Sequence, residues 1–388
     1  MEVQLKTLGT VATYINGRAF KPSEWENEGK PIIRIQNLTN KDAAFNYSSQ
    51  EYEEKYLVQK GDLLFAWSAS LGAHIWKGED AWLNQHIFRV IPYDEIDQDY
   101  LYYYLLTVVA ELYSKTHGSG MVHITKGPFM NTPIPVPPLP EQERIVSRIE
   151  ELFSQLDAGV ETLKKTKAQL AVYRQAAITE AFSVENNAPN ACLSDIAQII
   201  GGITKGRDLS GTETIELPYL RVANVQNGYL DLSEIKTIKL RVDEKERYLL
   251  KPGDVLYTEG GDRDKLGRGT VWRGEIKDCV HQNHVFKARV DQSKAIPEYV
   301  AFWSMSTPAR NYFYQKGKQS VNLASINKTV LSALTLPLPA LEKQREIINR
   351  IESRLSVCDS IEQTVDAALQ QAEAMRQSIL KDAFEGRM

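Results

Sequence analysis

The sequence predicts an α+β chain: two mixed α/β globules separated by two long antiparallel helices that form a coiled-coil spacer, with an internal pseudo-two-fold repeat. Three observations predict it. A proline-led helical motif occurs twice, 202 positions apart. The stretches before each copy share short motifs in the same order. Each of those stretches is too long to be a linker.

The first helical copy runs from Ile134 to Phe182 and opens IPVPPLPEQERIVSRIEELFSQLD; the second runs from Leu336 to Phe384 and opens LPLPALEKQREIINRIESRLSVCD. They align without a gap: Pro135 on Pro337, Pro137 on Pro339, Gln142 on Gln344, Arg148-Ile149-Glu150 on Arg350-Ile351-Glu352, Arg174-Gln175 on Arg376-Gln377 and Ala181-Phe182 on Ala383-Phe384. A gap-free match over more than about ten turns at 3.6 residues each means one structural unit used twice. The globular stretches match more loosely. Leu8-Gly9-Thr10-Val11-Ala12 corresponds to Leu193-Ser194-Asp195-Ile196-Ala197, and Pro31 to Asn37 corresponds to Pro218 to Asn224. The Gly61-Asp62 and Gly253-Asp254 turns correspond, as do Asn84-Gln85-His86 and Gln282-Asn283-His284. The offset grows from 185 at the first pair to 192 at the Gly-Asp turn, so the globules differ by insertions while the helices do not.

Pro135, Pro137, Pro138 and Pro140 keep the lead-in extended, because proline lacks an N–H donor and biases its predecessor away from helix. Glu141 and Glu143 then place negative charge at the positive end of the helix dipole. Steps of four and three give a first stripe of Ile145, Ile149, Leu152, Leu156, Gly159, Leu163, Thr166, Leu170, Tyr173 and Ala177. The second stripe is Ile347, Ile351, Arg354, Cys358, Ile361, Val365, Ala368, Ala372, Met375 and Ile379. This heptad pattern, interrupted at Gly159 and Arg354, is long enough for a coiled coil. A helix from Glu141 to Phe182 is roughly 60 Å long at 1.5 Å per residue. It could pack on its own globule or pair with its twin; pairing is expected, since no single globule needs such a helix. The expected interface is Ile145, Ile149, Leu156, Leu163 and Leu170 against Ile347, Ile351, Ile361, Val365 and Met375. A two-fold arrangement of like units makes the pair antiparallel.

Composition and missing motifs exclude several classes. A chain of 388 residues with 43% apolar content supports two or three domains with real cores. Cys192, Cys279 and Cys358 are spaced for neither a disulfide framework nor a metal cluster, and the six histidines lack metal-ligand spacing. Cys358 reads as a small core residue. No stretch approaches the roughly 20 apolar residues of a membrane span, and no leader opens the sequence, so a cytoplasmic protein is expected. No Asn-Pro-Pro-Tyr or Asp-Pro-Pro-Tyr sequence is present for holding a flipped base. The glycine-rich run Gly260 to Gly269 lacks the G-K-[ST] ending that cradles phosphates and reads as a long loop with three cations. No catalytic residue, cofactor or metal is expected.

The paired helical motifs, alternating with two variable globules, resemble the specificity subunit of type I restriction-modification systems, over essentially the whole chain. That resemblance implies a target recognition domain at 1–136, a spacer helix (the central repeat) at 137–183, a second target recognition domain at 184–338 and a second spacer helix (the C-terminal repeat) at 339–388. It implies that each globule reads one half of a bipartite site in double-stranded DNA. The helices would set the separation and dock two DNA adenine methyltransferase subunits, with restriction/translocase subunits joining the complex; catalysis would belong to those partners. The alternative is a coiled-coil adaptor with no nucleic-acid role.

Charge qualifies the DNA reading. Residues 1–134 hold 12 Lys+Arg against 16 Asp+Glu, a balance of −4; residues 193–336 hold 21 against 17, a balance of +4. Phosphate neutralisation carries most non-specific DNA affinity, so a partner is expected to supply much of the clamp. Base edges are read by Arg, Lys, Asn, Gln, Ser or Thr on loops. Candidates in the first globule are Gln36, Asn37, Ser68, Ser70, His74, Ser119, His123 and Lys126. In the second they are Lys205, Arg207, Asn224, Gln226, Asn227, Arg263, Lys265, Arg268, Lys318, Gln319 and Asn322. Arg34 and Arg221 fall in short alternating runs expected to be strands and are read as structural. His86 and His284 read as satisfied core or strand-end histidines in preference to DNA contacts. The aromatic-rich helical patterns at Tyr100–Leu112 and Tyr299–Tyr314 are expected in the core.

Overall fold

The computed structural model describes residues 3–40, 42–115, 126–183, 188–319 and 324–387. The chain divides into two compact units, Met1–Leu163 with Ala367–Met388, and Lys164–Asp366.

In the first unit the strands are β1 (Gln4–Thr7), β2 (Ala12–Asn16), β3 (Lys30–Ile33), β4 (Asn46–Ser48), β5 (Leu57–Val58), β6 (Leu63–Ala66), β7 (Gly72–Ile75), β8 (Ala81–Leu83), β9 (Ile87–Pro92) and β10 (Pro133–Val136). They form sheets ordered β2-β9-β6-β7 and β4-β3-β8-β5, with β1 and β10 as a separate ribbon. Helix α1 (Gln98–Lys115) follows β9, and the first long helix, α2, spans Leu139–Ser183. Alternation along β6 explains the layers. Leu63 and Phe65 enter one core with Tyr100, Leu101, Ile145 and Ile149, while Leu64 enters another with Ile33, Val58 and Leu83. Each such large side chain contributes about 1.5–3 kcal/mol by leaving water.

The second unit repeats this plan. Its strands are β11 (Asn190–Cys192), β12 (Ala197–Gly201), β13 (Thr214–Leu220), β14 (Lys236–Arg241), β15 (Asp254–Thr258), β16 (Gly260–Gly261), β17 (Gly269–Val271), β18 (Val280–His281), β19 (Val285–Val290), β20 (Lys318–Gln319), β21 (Ala324–Ser325) and β22 (Thr335–Pro337). The main sheet is β12-β19-β15-β17, the second β14-β13-β18, and β11 pairs with β22, the plan of the first unit with one strand fewer in the second sheet among the described residues. The pairs β3–β8 and β13–β18 are both parallel within otherwise antiparallel sheets. Helices α3 (Pro297–Met305), α4 (Thr307–Lys316) and α5 (Leu341–Phe384) complete it. An added three-stranded sheet, β16-β21-β20, has no counterpart among the described residues of the first unit.

The two long helices start by the same device. Gln142 and Gln344 are fully buried. The Gln142 amide donates to the carbonyls of Glu95 (2.9 Å) and Pro137 (2.8 Å) and accepts from Asp97 N (2.9 Å). Gln344 donates to Lys294 (3.0 Å) and Pro339 (2.8 Å) and accepts from Ile296 N (2.9 Å). Each glutamine ties a helix start to the loop before α1 or α3. The buried tyrosines repeat as well: Tyr100 and Tyr299 each donate at 2.8 Å to Pro135 and Pro337.

Helix pairing is antiparallel within each unit. In the second unit Lys167 meets Asp366 (2.6 Å), Arg174 meets Asp359 (2.6 Å) and Arg354 meets Glu180 (2.7 Å), so ascending positions on α2 face descending ones on α5. In the first unit Arg376 pairs with Asp157 and lies over the Phe153 ring.

The interface differs from the expected stripe. Ile145 and Ile149 sit in the core of the first unit, and Ile347 and Ile351 in that of the second, so the helix starts pack on the globules rather than on each other. Ile361 is 40% and Met375 48% exposed, so both lie outside the buried column of the seam, with Met375 at its edge beside Leu156 and Leu163. The fully buried column along α5 is Ile351, Cys358, Val365 and Ala372, one residue per heptad. In the other heptad column Ile361 and Met375 stay at the rim. Leu170 is buried, and Leu156 and Leu163 are half-buried. Gly159 is exposed, and Arg354 leaves the stripe to pair with Glu180.

Three local expectations need correction. Arg34 and Arg221 are not strand residues: β3 ends at Ile33 and β13 at Leu220, and each arginine precedes a short helical turn. The run Gly260 to Gly269 is not simply a loop, since Gly260 and Gly261 pair with Ser325 and Ala324. The aromatic helical stretch after Pro297 is two helices, broken at Ser306. Among the described residues, no helix is long and apolar enough to cross a membrane.

Candidate nucleic-acid interface

In both units several chain segments converge at one end of the main sheet. In the first unit Gly17 N donates to Ile87 O (3.0 Å), Gln85 N to Arg18 O (2.8 Å), Asn84 N to Ile33 O (3.2 Å) and Trp67 N to His86 O (3.1 Å). In the second, Asn283 N donates to Ile203 O (2.9 Å), Gln282 N to Leu220 O (2.9 Å) and Glu259 N to His284 O (2.9 Å). Glycine makes the crossing fit: a Cβ on Gly17 would lie 2.0 Å from Asn84 O, and one on Gly202 would lie 2.2 Å from His281 O. Backbone and frame are therefore shared, while the outward side chains differ.

At the first sheet end the Trp67 indole donates to Asn16 Oδ1 (3.0 Å) and packs edge-on to His86 with ring centres 4.8 Å apart. His86 (φ 73°) and Ala69 (φ 60°) both adopt the left-handed backbone region, which costs a non-glycine residue roughly 1–3 kcal/mol and clusters at functional sites. His86 Nδ1, Asn84 Oδ1 and His74 Nε2 are buried without a hydrogen-bond partner. Burial pushes the His74 imidazole below its ordinary range.

The second sheet end is charged. Glu259 Oε2 accepts from His284 Nδ1 at 2.7 Å. Arg263 donates to Tyr314 O (3.1 Å) and lies 4.5 Å from the centre of that ring. Arg268 donates to Gln226 Oε1 (3.0 Å), Lys265 pairs with Asp262, and Arg207 pairs with Glu244 (3.0 Å). Lys205 is exposed two residues past Ile203, and Lys318 is exposed on β20, in the small sheet reached through β21 from Gly260 and Gly261.

The structure thus gathers Ser70, Lys205, Arg263, Lys265, Arg268 and Lys318 around the sheet ends, with Gln36 exposed on the short helix after β3 and Gln226 held by Arg268. Gln319 lies on β20. Others are engaged within the fold or lie elsewhere on it. Asn224 is 3% exposed; its Oδ1 accepts from Arg221 N (2.9 Å) and its amide donates to Asp231 O and Glu234 O. Asn37 does the same work, accepting from Arg34 N (3.0 Å) and donating to Ala43 O and Ala44 O. Ser68 is 4% exposed, so it is not a surface residue. His74 is on β7, paired with Leu64. Asn227 is exposed but belongs to the turn that lines a cavity with Arg174, Phe302 and Asp359. Lys126 is exposed on the short helix Lys126–Met130, whose Phe129 packs into the core. Ser119, His123 and Asn322 lie outside the described residues. Sequence reasoning missed Trp67 and Glu259. Both stand five residues after the aspartate of the Gly-Asp turn, so counting from that turn would have aligned them.

A duplicated frame whose equivalent ends carry different side chains is the architecture of a two-part recognition protein. A family model described as the type I restriction modification DNA specificity domain matches residues 1–171 and 187–371. The chain is 26% identical to the type I restriction enzyme EcoBI specificity subunit of Escherichia coli, covering 98% of this chain and 85% of that one. It is 24% identical to the StySPI specificity subunit of Salmonella potsdam, covering 98% and 88%. Among solved structures, one titled for complex assembly and conformational transition of the type I R-M system superposes with TM-score 0.69 at 18% identity, covering 100% of this chain and 98% of the other. The HsdS subunit from Thermoanaerobacter tengcongensis superposes with TM-score 0.52, also at 18% identity, covering 100% and 97%. The chain belongs to the type I restriction-modification DNA specificity family, and its role is DNA sequence specificity.

Proposed function

We propose that each unit reads one half of a bipartite site in double-stranded DNA through the sheet end described above, and that α2 and α5 set the gap between the halves and dock two DNA adenine methyltransferase subunits. The observation that carries this is the pairing of one backbone frame with two different surfaces: Trp67 and His86 in one unit, Glu259 and His284 at the same places in the other. Identical frames meet B-DNA in the same way; different side chains read different bases. The remaining contributors on this reading are Gln36, Ser70, Lys205, Arg263, Lys265, Arg268, Gln226, Lys318 and Gln319. The opposite charge balances of the two globules leave phosphate clamping largely to the partners. Methyl transfer and cleavage belong to methyltransferase and restriction/translocase subunits, with this chain non-catalytic and cytoplasmic. The family membership weighs against a coiled-coil adaptor without a DNA role.

Modified-base sequencing of DNA from cells carrying this chain with its methyltransferase tests the proposal. The expected motif is split, non-palindromic and unlike in its two halves. Identical halves, or a single uninterrupted motif, would refute it.

A further inference from the structure

We propose that Glu259 and His284 are the base-reading element of the second unit and select an amino-bearing base, cytosine or adenine, in its half-site. The inference rests on the half-site reading above and deepens it by naming the chemistry of one recognised position.

The argument starts from the hydrogen bond. A carboxylate only accepts, so at 2.7 Å the His284 Nδ1 must be the donor to Glu259 Oε2. The other ring nitrogen, Nε2, lies 3.4 Å from the Asn283 side chain. The second Glu259 oxygen is an acceptor as well. His284 keeps 55% and Glu259 27% of its side-chain surface exposed. The sheet end therefore presents a carboxylate acceptor, held in place by the imidazole that donates to its other oxygen.

In the major groove, cytosine offers the N4 amino group and adenine the N6 amino group, whereas guanine (O6, N7) and thymine (O4) offer acceptors at that place. An acceptor surface bonds the first pair and repels the second. Negative selection is the stronger half of this effect, because a carboxylate facing a carbonyl loses its solvation without gaining a partner.

The first unit supplies the contrast. Trp67 occupies the Glu259 position, with the same backbone bond to the following histidine. Its indole N–H is used by Asn16, so that position carries an apolar edge and no charge. Discrimination by a carboxylate acceptor is thus a property of one half-site only.

The test uses the chain assembled with its methyltransferase partner. Equilibrium binding is measured on duplexes carrying each of the four base pairs at every position of the second half-site, for the wild type and for Glu259→Gln, Glu259→Ala and His284→Ala. One position should favour cytosine or adenine by roughly 10-fold to 100-fold, the scale of one hydrogen bond to a charged group. Glu259→Gln should flatten that preference, because a glutamine amide also donates, and leave the first half and the gap unchanged. Unaltered preferences at every position, equal weakening on all duplexes, or a guanine or thymine preference at the affected position would each overturn the proposal. Failure of all three variants to assemble would overturn it too, since an exposed reader contributes little to the fold. A wild-type complex without a second half-site would refute the half-site reading itself.

Discussion

Gln344 accepts a hydrogen bond from the backbone N–H of Ile296 at 2.9 Å, and this contact, with two donated bonds from the same amide, fixes the start of a 44-residue helix on the globule before it. Gln142 repeats the arrangement at the other long helix. The glutamine is fully enclosed, so none of its partners can turn to water when it is removed.

Gln344→Ala should therefore cost about 2–3 kcal/mol, the penalty for stranded buried polar groups. Urea unfolding measures the loss, and faster amide exchange at Ile296 locates it. A loss below about 0.5 kcal/mol would mean that the lead-in prolines alone position the helix.

The helix pair is best broken at its middle. Ile149 and Ile351 also belong to the cores, so carboxylates there would damage the globules. Val365 is 4% exposed and stands in the buried column of α5. Val365→Asp buries an unpaired carboxylate at a cost of several kcal/mol, or forces local opening. Loss of methyltransferase assembly with native exchange protection in both main sheets is expected. Arg174→Gln, by contrast, removes ion pairs whose acidic members are in contact with solvent, and should cost about 1 kcal/mol or less.

His281 makes the second unit acid-sensitive. It is fully buried, its Nδ1 donates to Val285 O at 2.7 Å, and burial pushes it down from 6.5 to about 4. Between those values the unfolded chain binds a proton that the folded chain does not, so stability falls as pH drops through the window. About 2 kcal/mol should be gone by pH 5 relative to pH 7. Asparagine keeps a donor but does not titrate, so exchange from Val280 to Val290 should lose much of its pH dependence in His281→Asn. An equal acid response in both proteins would assign the effect elsewhere.

If the helices are the ruler, lengthening both should lengthen the gap. Insertions must be matched, because Lys167 faces Asp366 and Arg174 faces Asp359, and must preserve the heptad. Seven residues placed after Lys165 and after Ala368 add about 10 Å at 1.5 Å per residue, or roughly three base pairs at ~3.4 Å. A methylome of cells carrying the double insertion should show the longer gap with both half-sites unaltered. An active variant with an unchanged gap would refute the ruler.

The sequence by itself determined the repeat, because a gap-free match across two long helices, led by prolines and closed by Ala-Phe, reflects a constraint on the backbone that side-chain types display directly. It determined the Gly-Asp turns, where Gly61 and Gly253 both take positive φ and Asp62 and Asp254 each accept from a backbone N–H three residues earlier. Only the tertiary structure decided which polar residues are free to act. Asn37 and Asn224 share the composition of base readers, yet their amides are consumed in turns, since a short polar side chain beside an open backbone N–H satisfies the nearest partner. Tertiary structure likewise decided the seam: periodicity marks two heptad columns as apolar, but only packing decides which is buried, and Val365 is enclosed while Ile361 and Met375 are exposed. It also brought Glu259 to His284, 25 residues away in the chain, because the antiparallel pairing of β15 with β19 brings the end of one strand beside the start of the other.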